Sequence, residues 1–263
     1  MRRLFVLKNN IRLLCCISLL CVLLPSTASA AKLEFFGDKP VIGPGSSLGT
    51  PIAYGASWGQ YFVGIGLTDK RRKQSSADGS AVFGFGLGDP EKYIGLETDV
   101  SIISLTSRNG DRAGDSGSVS LKLHRWLPYH MGIAVGVENA ATWGIAKRAG
   151  VKTNGFAVIT KILPLNSSYS KFLTVSAGVG NGRFGPIPLT PNALTQKKIG
   201  IFGSMGFQFH PSTALVSSWT GRDLNLGFSF VPLSTIPMTI NVGRVNVLHR
   251  ESLSAWVISV GFL

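Results

Sequence analysis

Cysteine is missing from residues 31–263, because the chain's three cysteines, Cys15, Cys16 and Cys21, all lie near its N-terminus. The remainder can therefore hold no disulfide and no thiolate metal site. After Leu24 the chain also lacks any apolar run of the roughly 20 residues a helix needs to cross a bilayer. That excludes a helical membrane bundle, although mean hydropathy is positive at +0.26. Acidic residues are few, 13 Asp and Glu against 26 Lys and Arg, so the chain is basic with a formal charge of +13. Capped, helix-period apolar stripes are absent too, which leaves strands as the expected regular structure.

What is present begins with Arg2, Arg3, Lys8 and Arg12, an apolar run of 12 residues from Leu13 to Leu24, then Pro25 and Ala28-Ser29-Ala30. This is the pattern of a secretory signal peptide over 1–30, expected to be cut after Ala30. Its removal takes away four cations and no acid, leaving +9 on residues 31–263. Residues 31–51, rich in Gly and Pro, read as a periplasmic N-terminal extension, either a flexible lead-in or a plug.

From 52 to 263 apolar and small or polar residues alternate with period two. Val119, Leu121 and Leu123 oppose Ser120, Lys122 and His124; Met131, Ile133, Val135 and Val137 oppose Gly132, Ala134, Gly136 and Glu138. Trp256, Ile258, Val260 and Phe262 repeat the pattern at the C-terminus. Twelve strands are expected, at 52–67, 80–87, 93–105, 116–126, 130–141, 155–163, 172–180, 198–209, 213–218, 223–231, 238–245 and 253–263. The connections fall into two classes that take turns. Short ones carry Pro90, Pro128, Pro164, Pro211 and Pro232 to Pro237, and the others are longer or charged. Proline cannot donate to a strand ladder, so it marks turns.

Alternating strands, alternating connections and an export signal together resemble a Gram-negative outer-membrane β-barrel, over about 52–263 and at the level of architecture. The expected fold is all-β, an antiparallel transmembrane β-barrel of about 12 strands. The resemblance implies an outer-membrane location, short turns facing the periplasm, and insertion by barrel-assembly machinery that reads the final strand. Such a strand usually ends on an aromatic residue; here Phe262 is penultimate.

The face opposite the large apolar residues supplies the lumen candidates Glu97, Asp99, Lys122, His124, Glu138, Lys161, Gln208 and Asn225. Counting from the turns brings Glu97 and Lys122 to similar height on neighbouring strands, where an ion pair can form. The predicted external loops carry a basic rim of Lys70, Arg71, Arg72, Lys73, Lys147, Arg148 and Lys152, suited to phosphates of outer-membrane lipid and lipopolysaccharide. Nucleic acid is an unsuitable partner, since the basic residues lack interleaved aromatics.

No catalytic residue, metal ligand or cofactor motif emerges. The glycine runs 84–88 and 178–182 open no predicted helix, so they fail as phosphate loops. The expected function is a narrow passive pore for small solutes, anionic ones by the net charge, or a surface-facing structural protein. The alternatives are an outer-membrane lipid-modifying enzyme and a soluble periplasmic β-barrel binding protein.

Overall fold

The computed structural model of the chain describes residues 43–69, 78–102, 105, 114–148, 151–167, 170–186, 199–233, 235–250 and 254–263. The expected signal peptide and the basic run Lys70, Arg71, Arg72 and Lys73 lie outside them. Twelve strands follow in order: β1 Tyr61–Thr68, β2 Asp78–Gly88, β3 Gly95–Ile102, β4 Gly117–Leu127, β5 Met131–Trp143, β6 Asn154–Pro164, β7 Phe172–Gly180, β8 Gly200–His210, β9 Thr213–Trp219, β10 Leu224–Phe230, β11 Met238–Val245 and β12 Ala255–Phe262. Each pairs antiparallel with its sequence neighbours, and β1 pairs with β12 from Val63↔Phe262 to Thr68↔Val257, closing a barrel. Closure leaves no edge strand in the sheet. No helix among the described residues is long and apolar enough to cross a membrane.

Residue type follows the pleat. In β1 the side chains of Tyr61, Val63, Ile65 and Leu67 are exposed, and those between them are partly buried. The outer wall continues with Leu121 and Leu123, Ile133 and Val135, Leu226 and Phe228, Trp256 and Ile258, all exposed. The inner wall buries Thr160, Thr174, Ser176, Ser204, Ser218 and Ser229. The strands are thus largely apolar on their outer face and small or polar on their inner one, with an apolar cluster of Ala53, Val158, Phe184 and Phe202 enclosed within.

The connections alternate between two ends. A turn end holds 89–94, 128–130, 165–171, 211–212 and 231–237, with the start of β1 and the end of β12. A loop end holds 69–77, 103–116, 144–153, 181–199, 220–223 and 246–254. At the turn end Asp89 accepts the amides of Lys92 and Glu91 at 3.1 and 3.0 Å, and these bonds, Lys92's first, hold its carboxyl below the usual range.

At the loop end a short helix α1, Gly144–Arg148, leads out of β5. The 3-10 turn Gly182–Phe184 folds inward so that Phe184, fully buried, lies 4.4 Å from Phe202 and 6.1 Å from Phe156 between ring centroids. Buried Asp223 accepts the amides of Leu224, Leu248 and Arg250 at 2.8, 2.9 and 2.7 Å, fastening two loops at one carboxylate.

One strand differs from the sequence expectation. The pattern suggested 52–67, but β1 begins at Tyr61; residues 52–56 run inside the barrel, and the chain emerges at exposed Trp58. Pro51, Gly55 and Gly59 interrupt that stretch; the amides of Ala53 and Ala56 bond to lumenal side chains, and Trp58 and Gln60 reach the backbone of β2, at Gly88 and Gly86. The other eleven lie within three residues of the expected bounds. Truncating Phe202 to Ala empties the centre of the inner aromatic cluster; we expect a loss of about 3–5 kcal/mol, visible as a lower denaturant midpoint with strand content unchanged.

Candidate functional site

The lumen is divided by the chain's own residues 43–60, which form an inverted U. The ascending limb starts at the turn end, where Gly43 lies beside Gln208 and the amide of Gly45 donates to Ser229 Oγ at 2.6 Å. It climbs to Leu48, whose amide donates to Ser218 Oγ at 2.9 Å and whose carbonyl accepts Asn225 Nδ2 at 2.9 Å. The bend at 47–50 is held by the Ser47 and Thr50 hydroxyls, 2.8 Å apart, and Arg183 Nη1 caps it by donating to the Gly49 carbonyl at 2.8 Å. The descending limb crosses to β6, where the amide of buried Ala53 donates to Thr160 Oγ1 at 2.9 Å. Tyr54 then donates its hydroxyl to the His130 carbonyl at 2.8 Å.

The strap is clasped most closely over β3 and β4. Glu97 and Lys122 face each other in register, with Nζ 2.6 Å from Oε1. The second carboxylate oxygen accepts the amide of Ala56 at 2.7 Å, and the ammonium donates to the carbonyl of Tyr54 at 2.9 Å. One ion pair thus grips the backbone on both sides of Gly55. A Cβ at residue 55 would lie 2.7 Å from Glu97 Oε2 and 2.8 Å from Lys122 Cε, so only glycine passes. A buried pair is stabilising only when its remaining hydrogen-bond capacity is met, and here the strap backbone meets it.

The second ion pair, Glu138 with Arg183, lies in the upper part of the lumen with Nη2 2.6 Å from Oε1. Arg183 also lies over the Phe184 ring, 4.2 Å from its centroid. Glu138 reaches this position because β5 bulges opposite Val119 and Leu121, where Asn139 adopts φ +54° and donates its amide to Ser120 Oγ at 3.1 Å.

Beside the strap, a cavity of about 1150 Å³ follows β11, β12 and β1–β4, from Thr239 and Leu263 at the turn end to Thr68, Gly79 and Ile102 at the loop end. Its charged lining is Glu97, Asp99 and Glu138 against Lys122 and Arg183. Both cations are committed to ion pairs, whereas among the described residues Asp99 has no ion pair and its Oδ1 accepts no hydrogen bond.

Of the sequence candidates, Glu97, Asp99, Lys122, His124, Glu138, Gln208 and Asn225 lie on the inner face. Lys161 does not. It shares the outward parity of Ile159 and Leu163, and its ammonium lies 5.9 Å from the centroid of the Tyr129 ring and bonds the Tyr129 carbonyl at 2.6 Å. His124 is 2 % exposed and packs under Gly95 and Gly55, a space-filling role. Lys147 and Arg148 on α1, and Lys152 after it, are exposed at the loop end. A plug was one of the two readings of 31–51, but its continuation through 52–60 was read as strand, and Arg183 and Asp223 were not foreseen as working parts. The chain matches no known protein family and no curated protein.

Breaking the clasp should free the strap before it unfolds the barrel. With Ala53→Cys as a reporter, we expect Lys122→Met to weaken strap docking by about 2–3 kcal/mol. Maleimide labelling should then accelerate at least tenfold while the barrel's strand signal is retained.

Proposed function

We propose that the protein is a Gram-negative outer-membrane β-barrel, exported through a cleaved signal peptide, whose lumen is a narrow passive passage for small polar solutes. The observation that carries this reading is the inverted burial: Leu, Ile, Val and Phe are exposed around the wall, whereas Ser, Thr, Asn and Gln are enclosed. In water that distribution places apolar side chains against solvent and confines groups able to hydrogen bond to it; in a bilayer both penalties vanish. Exposed aromatics support it, with Trp58, Tyr61, Tyr93 and Tyr129 at the turn end and Trp256 at the start of β12, where amphipathic rings favour the membrane interface. A soluble periplasmic barrel would invert the two faces.

The strap makes the passage narrow, since it fills the β6–β10 side and crosses over β3 and β4 near the turn end, leaving the cavity along β11, β12 and β1–β4. Charge in that cavity favours cations, although the basic chain as a whole suggested anions. Three carboxylates line it against two paired cations, and selectivity follows the charge beside the path more than the total charge. Under this reading the turn end faces the periplasm, β12 is the segment read by barrel-assembly machinery, and Lys147, Arg148 and Lys152 meet lipopolysaccharide phosphates.

Reconstituted in a planar bilayer, the folded protein should give small unitary steps with a cation-directed reversal potential in a salt gradient. Asp99→Asn should reduce that preference toward neutrality, and excision of residues 43–57 should enlarge the steps. A membrane-inserted barrel that stays silent with the strap removed would overturn the passage; an anion-directed reversal would overturn its assigned selectivity.

A further inference from the structure

The outer wall carries a feature that the passage does not use. Between β4 and β8 the exposed surface dips into a trough of about 630 Å³, because Ala157 and Ala177 stand at outward positions among Ile133, Ile159 and Val179. The two alanines are offset diagonal neighbours: Ala157 pairs with Val179, and Ala177 pairs with Ile159. Side chains of their neighbours' size would have filled the depression.

The trough has a direction. One row of paired residues runs Arg125↔Ile133, Ile133↔Ile159 and Ile159↔Ala177. Arg125 is two residues from the turn end of β4, whereas Ala177 is past the middle of β7 toward the loop end. The row therefore climbs from the turn-end rim into the middle of the wall. Three inter-strand steps of about 4.8 Å make it roughly 14 Å long.

Arg125 stands at its lower end. It is exposed on the same outward face as Leu123, and no ion pair or hydrogen bond joins its side chain to any described residue. It is the one charged side chain facing outward in the trough. An unpaired guanidinium at the rim and an apolar trough rising away from it match a phosphate joined to a hydrocarbon chain.

We propose that this trough is a binding site for one anionic phospholipid of the leaflet at the turn end, with its phosphate on Arg125 and an acyl chain over Ala157 and Ala177. This rests on the membrane reading above, and it names a lipid partner distinct from the lipopolysaccharide assigned to the loop end. Arg125 supplies the charge preference, and the two alanines supply room for the chain. Without Arg125 the trough would still receive a chain but would not distinguish anionic from zwitterionic headgroups.

Native mass spectrometry of the folded protein in detergent, titrated with phosphatidylglycerol or with phosphatidylethanolamine of the same acyl chains, tests this. The wild type should retain phosphatidylglycerol preferentially. Arg125→Gln should weaken that binding about five- to tenfold and phosphatidylethanolamine binding less, so that the preference between the two is lost, and Ala157→Leu with Ala177→Leu should weaken both. Equal retention of the two lipids by the wild type, or unaltered phosphatidylglycerol binding in Arg125→Gln, would overturn the site. Flotation of the same preparation with phosphatidylcholine vesicles separates the two levels. A protein that does not float refutes the membrane reading, whereas one that floats without headgroup preference refutes only this site.

Discussion

Closure of the sheet between β1 and β12 is the constraint on which the rest of the molecule depends. Once the ladder returns to its start, the strand backbone is satisfied within the wall, and the outer surface is free to be apolar without leaving amides unpaired. Closure also creates an inside. The polar residues alternating with that apolar set face one another across a confined space, where they must satisfy each other or something placed between them. Glu97, Thr160, Ser218, Asn225 and Ser229 do the latter, and the strap is what they hold.

The strap answers a problem of width. Twelve strands enclose more space than their own lumenal side chains fill, particularly when many are Gly, Ala and Ser. On one side the space is taken by the strap together with Phe156, Phe184 and Phe202; on the other it stays open and polar. The two ion pairs serve this division. Glu97 with Lys122 fixes the descending limb, while Arg183, held by Glu138, reaches the bend. Their charges cancel, so among the cavity's described charged lining Asp99 alone is left without an ion pair.

The wall was legible in the sequence because period-two alternation is a local property that twelve independent segments repeat. The turns were legible because proline is barred from the ladder and so punctuates one end. Reading 52–60 as strand failed because Ile52, Tyr54 and Trp58 mimic that alternation, while the partners of this stretch, Thr160 and Glu97, lie far away in the chain. Lys161 was misplaced for a related reason. Polarity suggested an inward position, but parity with Ile159 and Leu163 directs it outward, and a long side chain near the end of a strand can carry its charge to the rim. Arg183 and Asp223 sit in connections with no periodicity, and their roles exist only once distant loops are brought together.

The position of the clasp bears on how the barrel holds together at its seam. β1 meets β12 over six residue pairs, against eight with β2, so the junction that closes the cylinder is a short one. Just before β1, Trp58 and Gln60 pair with Gly88 and Gly86 of β2, and Ala56 is anchored through Glu97 on β3. The chain that forms the seam is therefore bolted from within to strands on its far side. To peel β1 away from β12, a fluctuation must carry along a strand whose root is fastened across the lumen, so the strap acts as a latch on the cylinder as well as an obstruction in it.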